Sequence, residues 1–181
     1  MPENTKENSD KTKKIIREVI GYLIAIISAV AIAILVRTFI FEPFIVPTPS
    51  MEPTLMVGDK VIINKLSYDF GEIDRGDIIA FHSPLEEDKE LVKRAIAVEG
   101  DEISLTSEGE IFVNGELLEE GYLPDKQDIK YLNQVIIVGP DEVFVMGDNR
   151  NNSFDSRFFG TVGRDSIFGE FVIIYWPPSR W

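Results

Sequence analysis

The longest uninterrupted apolar segment of the chain lies close to its N-terminus. Residues 19–36 read VIGYLIAIISAVAIAILV and carry no charged side chain. These 18 residues would rise about 27 Å as a helix, close to the hydrocarbon thickness of a bilayer, and the apolar stretch continues past Arg37 to residue 41. A buried helix of a globular protein would show a polar face, whereas Ser28 is the only interruption here. We therefore predict a transmembrane anchor at residues 19–41, in contact with the lipid bilayer.

The sequence after this segment argues against removal of the anchor. A cleaved secretory signal has an apolar core of about 7–15 residues and a cleavage site of small residues. Here the core is longer, and the bulky sequence RTFIFEPFIV follows it.

Beyond the anchor the apolar segments become short, rich in Val and Ile, and separated by turn residues. The strongest hairpin signal is Asn114-Gly115, because both positions of a type I′ turn favour positive φ. Only part of residues 150–168 has a spacing compatible with a longer helix. The 140 residues from 42 to 181 suffice for one core, and we predict a mostly-β domain there, a sandwich or a partly closed barrel. The predicted strands and hairpins are residues 61–66, 77–81, 91–98, 102–105, 110–118, 134–138, 142–147 and 170–176.

The composition removes several classes of chemistry. The chain has no cysteine and one histidine, His82, which we expect in a loop. It therefore has no thiolate nucleophile and no cysteine-based zinc site, and a site with several histidines cannot form within one chain. The formal net charge of -13 disfavours binding along nucleic-acid phosphates. We expect no metal, no cofactor and no nucleic-acid partner.

The charges are distributed unevenly about the anchor. Positive residues are concentrated on its N-terminal side, whereas Arg37 alone lies near its C-terminal end, before a strongly acidic region. The first 41 residues hold six Lys and Arg and four Asp and Glu, so the remainder holds 12 and 27. The positive-inside rule predicts a single-pass protein of the plasma membrane with residues 1–18 as a cytoplasmic tail and residues 42–181 as an extracytoplasmic domain. The positive residues before the anchor are Lys11, Lys13, Lys14 and Arg17.

A nucleophile candidate follows the anchor directly. The segment FIVPTPSMEPTLMVGDKV places Ser50 between Pro49 and Met51. Proline restricts the backbone, which suits a nucleophile that must be presented to a substrate. The same pattern fits an ordinary turn in which Ser50 supplies a capping oxygen. The pattern leaves both interpretations open.

A buried lysine can replace histidine as the base, because desolvation lowers its pKa. In a strand over residues 91–98, Lys93 shares a face with Leu91, Ala95 and Ala97, which is an apolar setting with room for a substrate backbone. A solvated lysine on an edge strand would give the same pattern, and Lys65 has similar neighbours. Periodicity does not choose between them.

A third candidate segment is the polar loop of residues 147–160, GDNRNNSFDSRFFG. It does not fit a calcium-binding loop, because Arg150, Ser153 and Phe159 occupy positions that require a ligand, a glycine and a glutamate. Its two arginines balance two aspartates, and such a loop can support an active-site amine.

Together these segments resemble the bacterial type I signal peptidases, membrane-bound serine peptidases that remove signal peptides from exported proteins. The resemblance rests on the anchor and on four motifs in the family's order, and it covers nearly the whole chain. The motifs are SMEPTL (residues 50–55), GDKVIINK (58–65), KRAIAVEGD (93–101) and GDNRNNSFDSR (147–157).

The resemblance implies a role for each matching residue. Ser50 would be the nucleophile and Lys93 the general base. The backbone N–H of Ser50 and the hydroxyl of Thr48 would form the oxyanion hole, although Pro49 stands where the family often has a small residue. Ser153 would orient the lysine, with Asp155 and Arg157 as an ion pair behind it. The family's fold, shared with self-cleaving repressor-type Ser/Lys proteases, agrees with the predicted mostly-β domain.

The resemblance also implies substrates and constraints. Preprotein signal peptides would be cut after small-x-small sites of the Ala-x-Ala kind, with Ala95 and Met51 as candidates to line the pockets. Lys93 must be uncharged, so desolvation has to outweigh the surrounding carboxylates. A membrane-tethered β-domain that acts as an export adaptor or chaperone, without catalysis, is the alternative. A repressor-type protease would carry a DNA-binding domain, and this chain has an apolar anchor instead.

Overall fold

In the computed structural model, residues 3–86, 88–123 and 133–181 are described, and the chain divides into two compact units, Met1–Ile40 and Phe41–Trp181. The first unit is one helix, α1 (Glu3–Phe39). Its part from Lys13 to Phe39 is long and apolar enough to cross a membrane, and its side chains are not buried inside the protein. The helix ends two residues before the predicted limit of the anchor, because Phe41 already belongs to a strand.

Within the described part of the second unit there are eleven strands and two short helices. The helices are single turns, α2 (Ser67–Phe70) and α3 (Ser156–Phe159), so no longer helix forms within residues 150–168. The strands are β1 (Phe41–Ile45), β2 (Lys60–Asn64), β3 (Ile78–His82), β4 (Glu90–Val98), β5 (Glu102–Leu105), β6 (Ile111–Val113), β7 (Glu116–Leu117), β8 (Gln134–Ile137), β9 (Glu142–Met146), β10 (Val162–Gly163) and β11 (Ile167–Trp176).

The strands form two antiparallel sheets. The larger has the order β1-β2-β11-β3-β4-β9-β10 and the smaller the order β7-β6-β5-β8. Side chains of β4 and β9 share one buried cluster with those of β5 and β6, so the two sheets pack around a common core. The prediction of an apolar helix followed by a mostly-β domain is confirmed.

Each predicted strand segment contains an observed strand, and the Asn114-Gly115 turn joins β6 to β7 with φ of 53° and 80° at its two residues. Strands β1 and β10 were not predicted. The residues of β1 (FEPFI) continue the apolar run of the anchor, so the sequence pattern gives no boundary there. The expectation of a loop at His82 is wrong, because His82 is the last residue of β3 and pairs with Glu90.

The face alternation predicted for β4 holds only as far as Ala95. Leu91 and Ala95 contact the same buried cluster, and Val92 lies in a different one. Between Ala95 and Ala97 the register against β9 shifts. Ile96 and Ala97, although adjacent in sequence, both lie in a third cluster, the one shared with β5 and β6. The prediction that Ala97 shares the face of Lys93 is therefore wrong, since a bulge inserts one residue and reverses the alternation beyond it.

Candidate active site

The candidate nucleophile lies in a closed loop between β1 and β2, here called the serine loop (residues 46–59). Backbone hydrogen bonds from Val46 N to Asp59 O and from Gly58 N to Val46 O, both 2.9 Å, join its two ends. Ser50 is the middle residue of a 3₁₀ turn that Pro49 begins, and it is 7% exposed. The proline-rich sequence thus forms a rigid turn at the nucleophile, as expected from the restricted backbone of proline.

Lys93 comes from β4, an inner strand of the larger sheet that lies between β3 and β9, and it is 2% exposed. Its Nζ forms hydrogen bonds with Ser50 Oγ at 2.6 Å and with the carbonyl oxygen of Val92 at 3.1 Å. Lys65, the other candidate, forms an ion pair with Glu42 at 3.1 Å with a third of its side chain exposed. Only Lys93 has the buried contact with a serine that the dyad hypothesis requires.

Burial is the largest influence on the amine and lowers the pKa of Lys93 to about 8. The charges of Asp155 and Asp148 act in the opposite direction, and those of Arg157 and Lys89 assist the lowering. Each aspartate is itself paired with an arginine, which reduces its effect on the amine. The expectation that desolvation must outweigh the carboxylates is met by this environment.

Thr48 is exposed and lies beside the nucleophile, with 3.2 Å between its Oγ1 and Ser50 Oγ. Thr48, Ser50 and Lys93 line one cavity of about 240 Å³. Its apolar wall includes Met51, one of the two candidates for lining substrate pockets, together with Phe44, Val46, Leu91 and Val92. The other candidate, Ala95, does not line this cavity. It is fully buried in a different cluster, which it shares with Val143 and Val145 of β9.

The polar loop (residues 147–160) contacts backbone oxygens of the serine loop. Asn149 donates from its N–H to Ser50 O at 3.0 Å and from its Nδ2 to Pro49 O at 3.1 Å. At Gly147 a Cβ would collide with Ser50 O and with Ser153 Oγ, so only glycine allows this close approach. The polar loop therefore fixes the backbone that carries the nucleophile.

Ser153, Asp155 and Arg157 lie together in the polar loop, where the Arg157 guanidinium donates to Asp155 and to Ser153 O. Asp155 is fully buried and accepts two hydrogen bonds of 2.7 Å from the Arg157 guanidinium. It also accepts a hydrogen bond of 3.0 Å from the backbone N–H of Gly147. Ser153 Oγ is buried and, among the described residues, has no hydrogen-bond partner. The bond to Lys93 that the resemblance implies is not formed in this conformation, in which the amine contacts Ser50 and Val92.

Sequence reasoning missed the pair of Arg94 and Asp148. Arg94 donates to both carboxylate oxygens of Asp148, at 2.9 and 2.7 Å, and Thr54 of the serine loop donates to the same carboxylate at 2.5 Å. A charged residue on each face of an otherwise apolar strand was the available signal, because Arg94 follows Lys93 in LVKRAIAV. The pair joins the strand that bears the lysine to the loop that bears the serine.

The side chains at the site are suited to acyl transfer and not to holding a metal. Within residues 13–86, 88–123 and 133–181, no three His, Asp or Glu side chains are grouped so that they could bind a metal ion. A hydroxyl beside a buried amine, with a second hydroxyl and a backbone N–H close by, can instead attack a carbonyl and stabilise the resulting oxyanion.

The sequence is similar to known proteins over most of its length. The profile of the family described as Signal peptidase, peptidase S26 matches residues 18–176. A signal peptidase I of Leptolyngbya laminosa is 40% identical over 160 residues, covering 84% of this chain and 77% of that protein. Signal peptidase I P of Bacillus subtilis subsp. natto is 37% identical over 180 residues, covering 94% and 96%. A solved signal peptidase I from Enterococcus faecalis is 28% identical with a TM-score of 0.49, covering 56% of this chain and 97% of that one.

Proposed function

Because the chain belongs to the signal peptidase family, peptidase S26, we propose that it cleaves signal peptides from exported preproteins with a dyad of Ser50 and Lys93. Family membership makes it a serine endopeptidase of signal peptide processing, and the apolar part of α1 fits membrane anchoring. The dyad, the cleavage-site preference and the orientation in the membrane are the proposed parts.

One observation carries the dyad: the 2.6 Å hydrogen bond between Lys93 Nζ and Ser50 Oγ, at a lysine that is almost fully buried. A pKa near 8 leaves a substantial fraction of this amine neutral at physiological pH. A neutral amine can accept a proton, and the serine hydroxyl is in direct contact with it. A non-catalytic adaptor would have no need for a buried lysine against a serine, so this contact favours the enzyme.

The proposed reaction follows from these positions. As Ser50 Oγ attacks the scissile carbonyl carbon, its proton passes to Lys93 Nζ and the carbonyl π electrons move to the oxygen. The Ser50 N–H and the Thr48 hydroxyl stabilise this oxyanion by hydrogen bonds. When the C–N bond breaks, the Lys93 ammonium returns the proton to the departing amine. A water then attacks the acyl-enzyme with Lys93 again as the base, and the acid product leaves with Ser50 restored.

The lining of the cavity supports a preference for small-x-small sites such as Ala-x-Ala. Most of its wall is apolar, although Lys89 and Glu90 also line it, so apolar substrate side chains such as that of Ala are favoured over charged ones. Ser153, Asp155 and Arg157 act as supporting residues, since Asp155 and Arg157 act on the amine through their charges and none of the three lines the cavity.

The charge distribution supports the proposed topology. With the lysines and arginine at residues 11–17 on the cytoplasmic side, the enzyme spans the plasma membrane once and residues 42–181 lie outside. Exported preproteins and the lipid bilayer are then its partners.

Detergent-solubilised protein incubated with a preprotein carrying an Ala-x-Ala site tests the proposal. We expect a new N-terminus directly after the second Ala, found by sequencing, and no product from the folded variants Ser50→Ala and Lys93→Ala. His82→Ala is the matched control and should cleave normally, because the exposed His82 lies outside this cavity. Full activity of either dyad variant, or cleavage at unrelated sites, would contradict it.

A further inference from the structure

Residues 120–122, which follow β7 of the smaller sheet, contact Arg150 of the polar loop. Within the described part of the chain they form no hydrogen bond with Ser50 or Lys93. Building on the proposed dyad, we propose that Glu120 and Tyr122 are positioning residues for the cleavage reaction. They hold the guanidinium groups of Arg94 and Arg150 and so keep the polar loop in place against the nucleophile.

Tyr122 acts on Arg94. The guanidinium carbon of Arg94 lies 3.9 Å from the centre of the Tyr122 ring, within the range of a cation–π interaction. The Tyr122 hydroxyl donates to Glu120 Oε1 at 2.6 Å and accepts from Arg150 Nη2 at 3.4 Å. Burial and then the Glu120 charge raise the pKa of Tyr122, so the phenol remains a donor across the working range of the enzyme.

Glu120 acts on Arg150. Its carboxylate accepts a hydrogen bond of 2.8 Å from Arg150 Nη1 and a second hydrogen bond from Nη2 of the same guanidinium. The Arg150 side chain is fully buried, and its Nε donates to the carbonyl oxygen of Gly147 at 3.2 Å. The carboxylate thus holds the cation that clamps the start of the polar loop.

From these two arginines the contacts continue to the nucleophile. Arg94 holds both oxygens of Asp148, which accepts from Thr54 of the serine loop. The next residue, Asn149, donates its N–H to Ser50 O. A change at Tyr122 or Glu120 therefore alters the support of Ser50 although neither residue lies near the reacting atoms.

The arrangement is a costly way to obtain stability alone. Arg94 and Arg150 are 8% and 2% exposed, and burying a charge requires desolvation that pairing only partly repays. Both cations donate to residues 147–148, the part of the polar loop that contacts the serine loop, and Arg94 also donates to the carbonyl oxygen of Gly76 at 2.7 Å. A role in positioning the polar loop against the serine loop explains the burial of these two charges better than a contribution to packing does.

The full-length enzyme in detergent, assayed on a preprotein with an Ala-x-Ala site, tests this inference in four variants. Tyr122→Leu removes the ring and the hydroxyl, Tyr122→Phe removes only the hydroxyl, and Glu120→Gln weakens the clamp on Arg150. Tyr68→Phe is the matched control, because Tyr68 also donates to a carboxylate, Asp77 at 3.1 Å, outside the polar loop. Thermal unfolding of each variant is measured alongside kcat and KM.

We expect Tyr122→Leu to lower kcat by roughly 10- to 30-fold, the value of a shielded cation–π interaction, with KM within about twofold. Tyr122→Phe should recover most of that loss because it keeps the ring over Arg94. With Arg94 loosened, the Asp148 charge acts more strongly on Lys93, so the acid limb of kcat/KM should move to higher pH. Tyr68→Phe should change neither kcat nor the pH profile.

Unchanged kcat and pH profiles in Tyr122→Leu and Glu120→Gln would overturn the inference, as would losses that Tyr68→Phe shows equally. If Tyr122→Leu does not fold, Glu120→Gln alone decides: a loss of kcat that Tyr68→Phe does not show supports the inference, and an unchanged kcat and pH profile overturns it. Ser50→Ala in the same series separates the two proposals. Cleavage by Ser50→Ala refutes the dyad, whereas an inactive Ser50→Ala beside fully active Tyr122→Leu and Glu120→Gln variants refutes only the positioning role.

Discussion

Replacement of the Thr48 hydroxyl by a methyl group isolates the proposed oxyanion hole. Thr48 lies next to the nucleophile, with its Oγ1 3.2 Å from Ser50 Oγ, and its backbone is extended at φ -134° and ψ 154°. Valine keeps the β-branched shape that this backbone favours. Because the side chain is exposed, Thr48→Val should leave the free energy of unfolding within about 0.5 kcal/mol of the wild type.

The kinetic effect should be much larger than the effect on stability. Removal of one oxyanion donor typically costs about 2.7–4 kcal/mol of transition-state stabilisation, a loss of roughly 10²- to 10³-fold in kcat. The loss should appear in kcat with KM little changed, because the hydroxyl acts on charge that develops only in the transition state. Steady-state cleavage of a preprotein peptide measures both constants.

Thr48→Ser is the matched control, since it keeps the hydroxyl and removes the methyl group. It should retain most of the activity. Equal kcat in Thr48→Val and the wild type would remove Thr48 from the mechanism. An equal loss in Thr48→Ser would assign the effect to shape and not to the hydroxyl.

Three further predictions concern the lysine and the close packing of the two loops. In a pH series, kcat/KM should rise as pH increases through about 8, because only the neutral form of Lys93 accepts the serine proton, and a flat profile from pH 6 to 10 would contradict this. Since burial lowers the pKa of Lys93 from 10.5 to about 8, the unfolded chain holds this proton more tightly, and stability should rise with pH across that interval. Lys93→Met should accordingly raise the free energy of unfolding at pH 7 by up to about 3 kcal/mol, and chemical denaturation that shows a loss instead would refute the cost of burial. Gly147→Ala should lower the free energy of unfolding by about 1–3 kcal/mol and remove most of the activity, because the new Cβ would collide with Ser50 O. Gly163→Ala is the control, since a Cβ there meets no neighbouring atom. Normal turnover of Gly147→Ala would show that activity does not depend on the close approach of the two loops.

The sequence was most informative where a pattern reports directly on local structure. The anchor follows from an uncharged run, the β6–β7 hairpin from Asn114-Gly115, and the strands from short Val- and Ile-rich segments. The resemblance to the signal peptidases then supplied Ser50 and Lys93, which periodicity alone had left open. The structure brings these two residues together from positions 43 residues apart.

Long-range contacts explain most of what the sequence did not predict. Arg94 pairs with Asp148 across 54 residues, and its contact with Tyr122 depends on how the two sheets pack, which no local pattern encodes. The bulge at Ala95–Ala97 depends on the register of β4 against β9 and not on β4 alone. Strand β1 was not predicted because its apolar residues directly follow those of α1. Nothing in the hydrophobic pattern marks where the helix ends and the strand begins.

A titration of the Lys93 amine tests the central claim most directly. In protein labelled with ¹⁵N-lysine, the Nζ resonance that disappears in Lys93→Met can be followed by NMR from pH 6 to 11. A neutral base beside Ser50 predicts a midpoint near pH 8. A midpoint near 10.4, the value of an ordinary exposed lysine, would show that Lys93 is charged at working pH and would contradict the dyad.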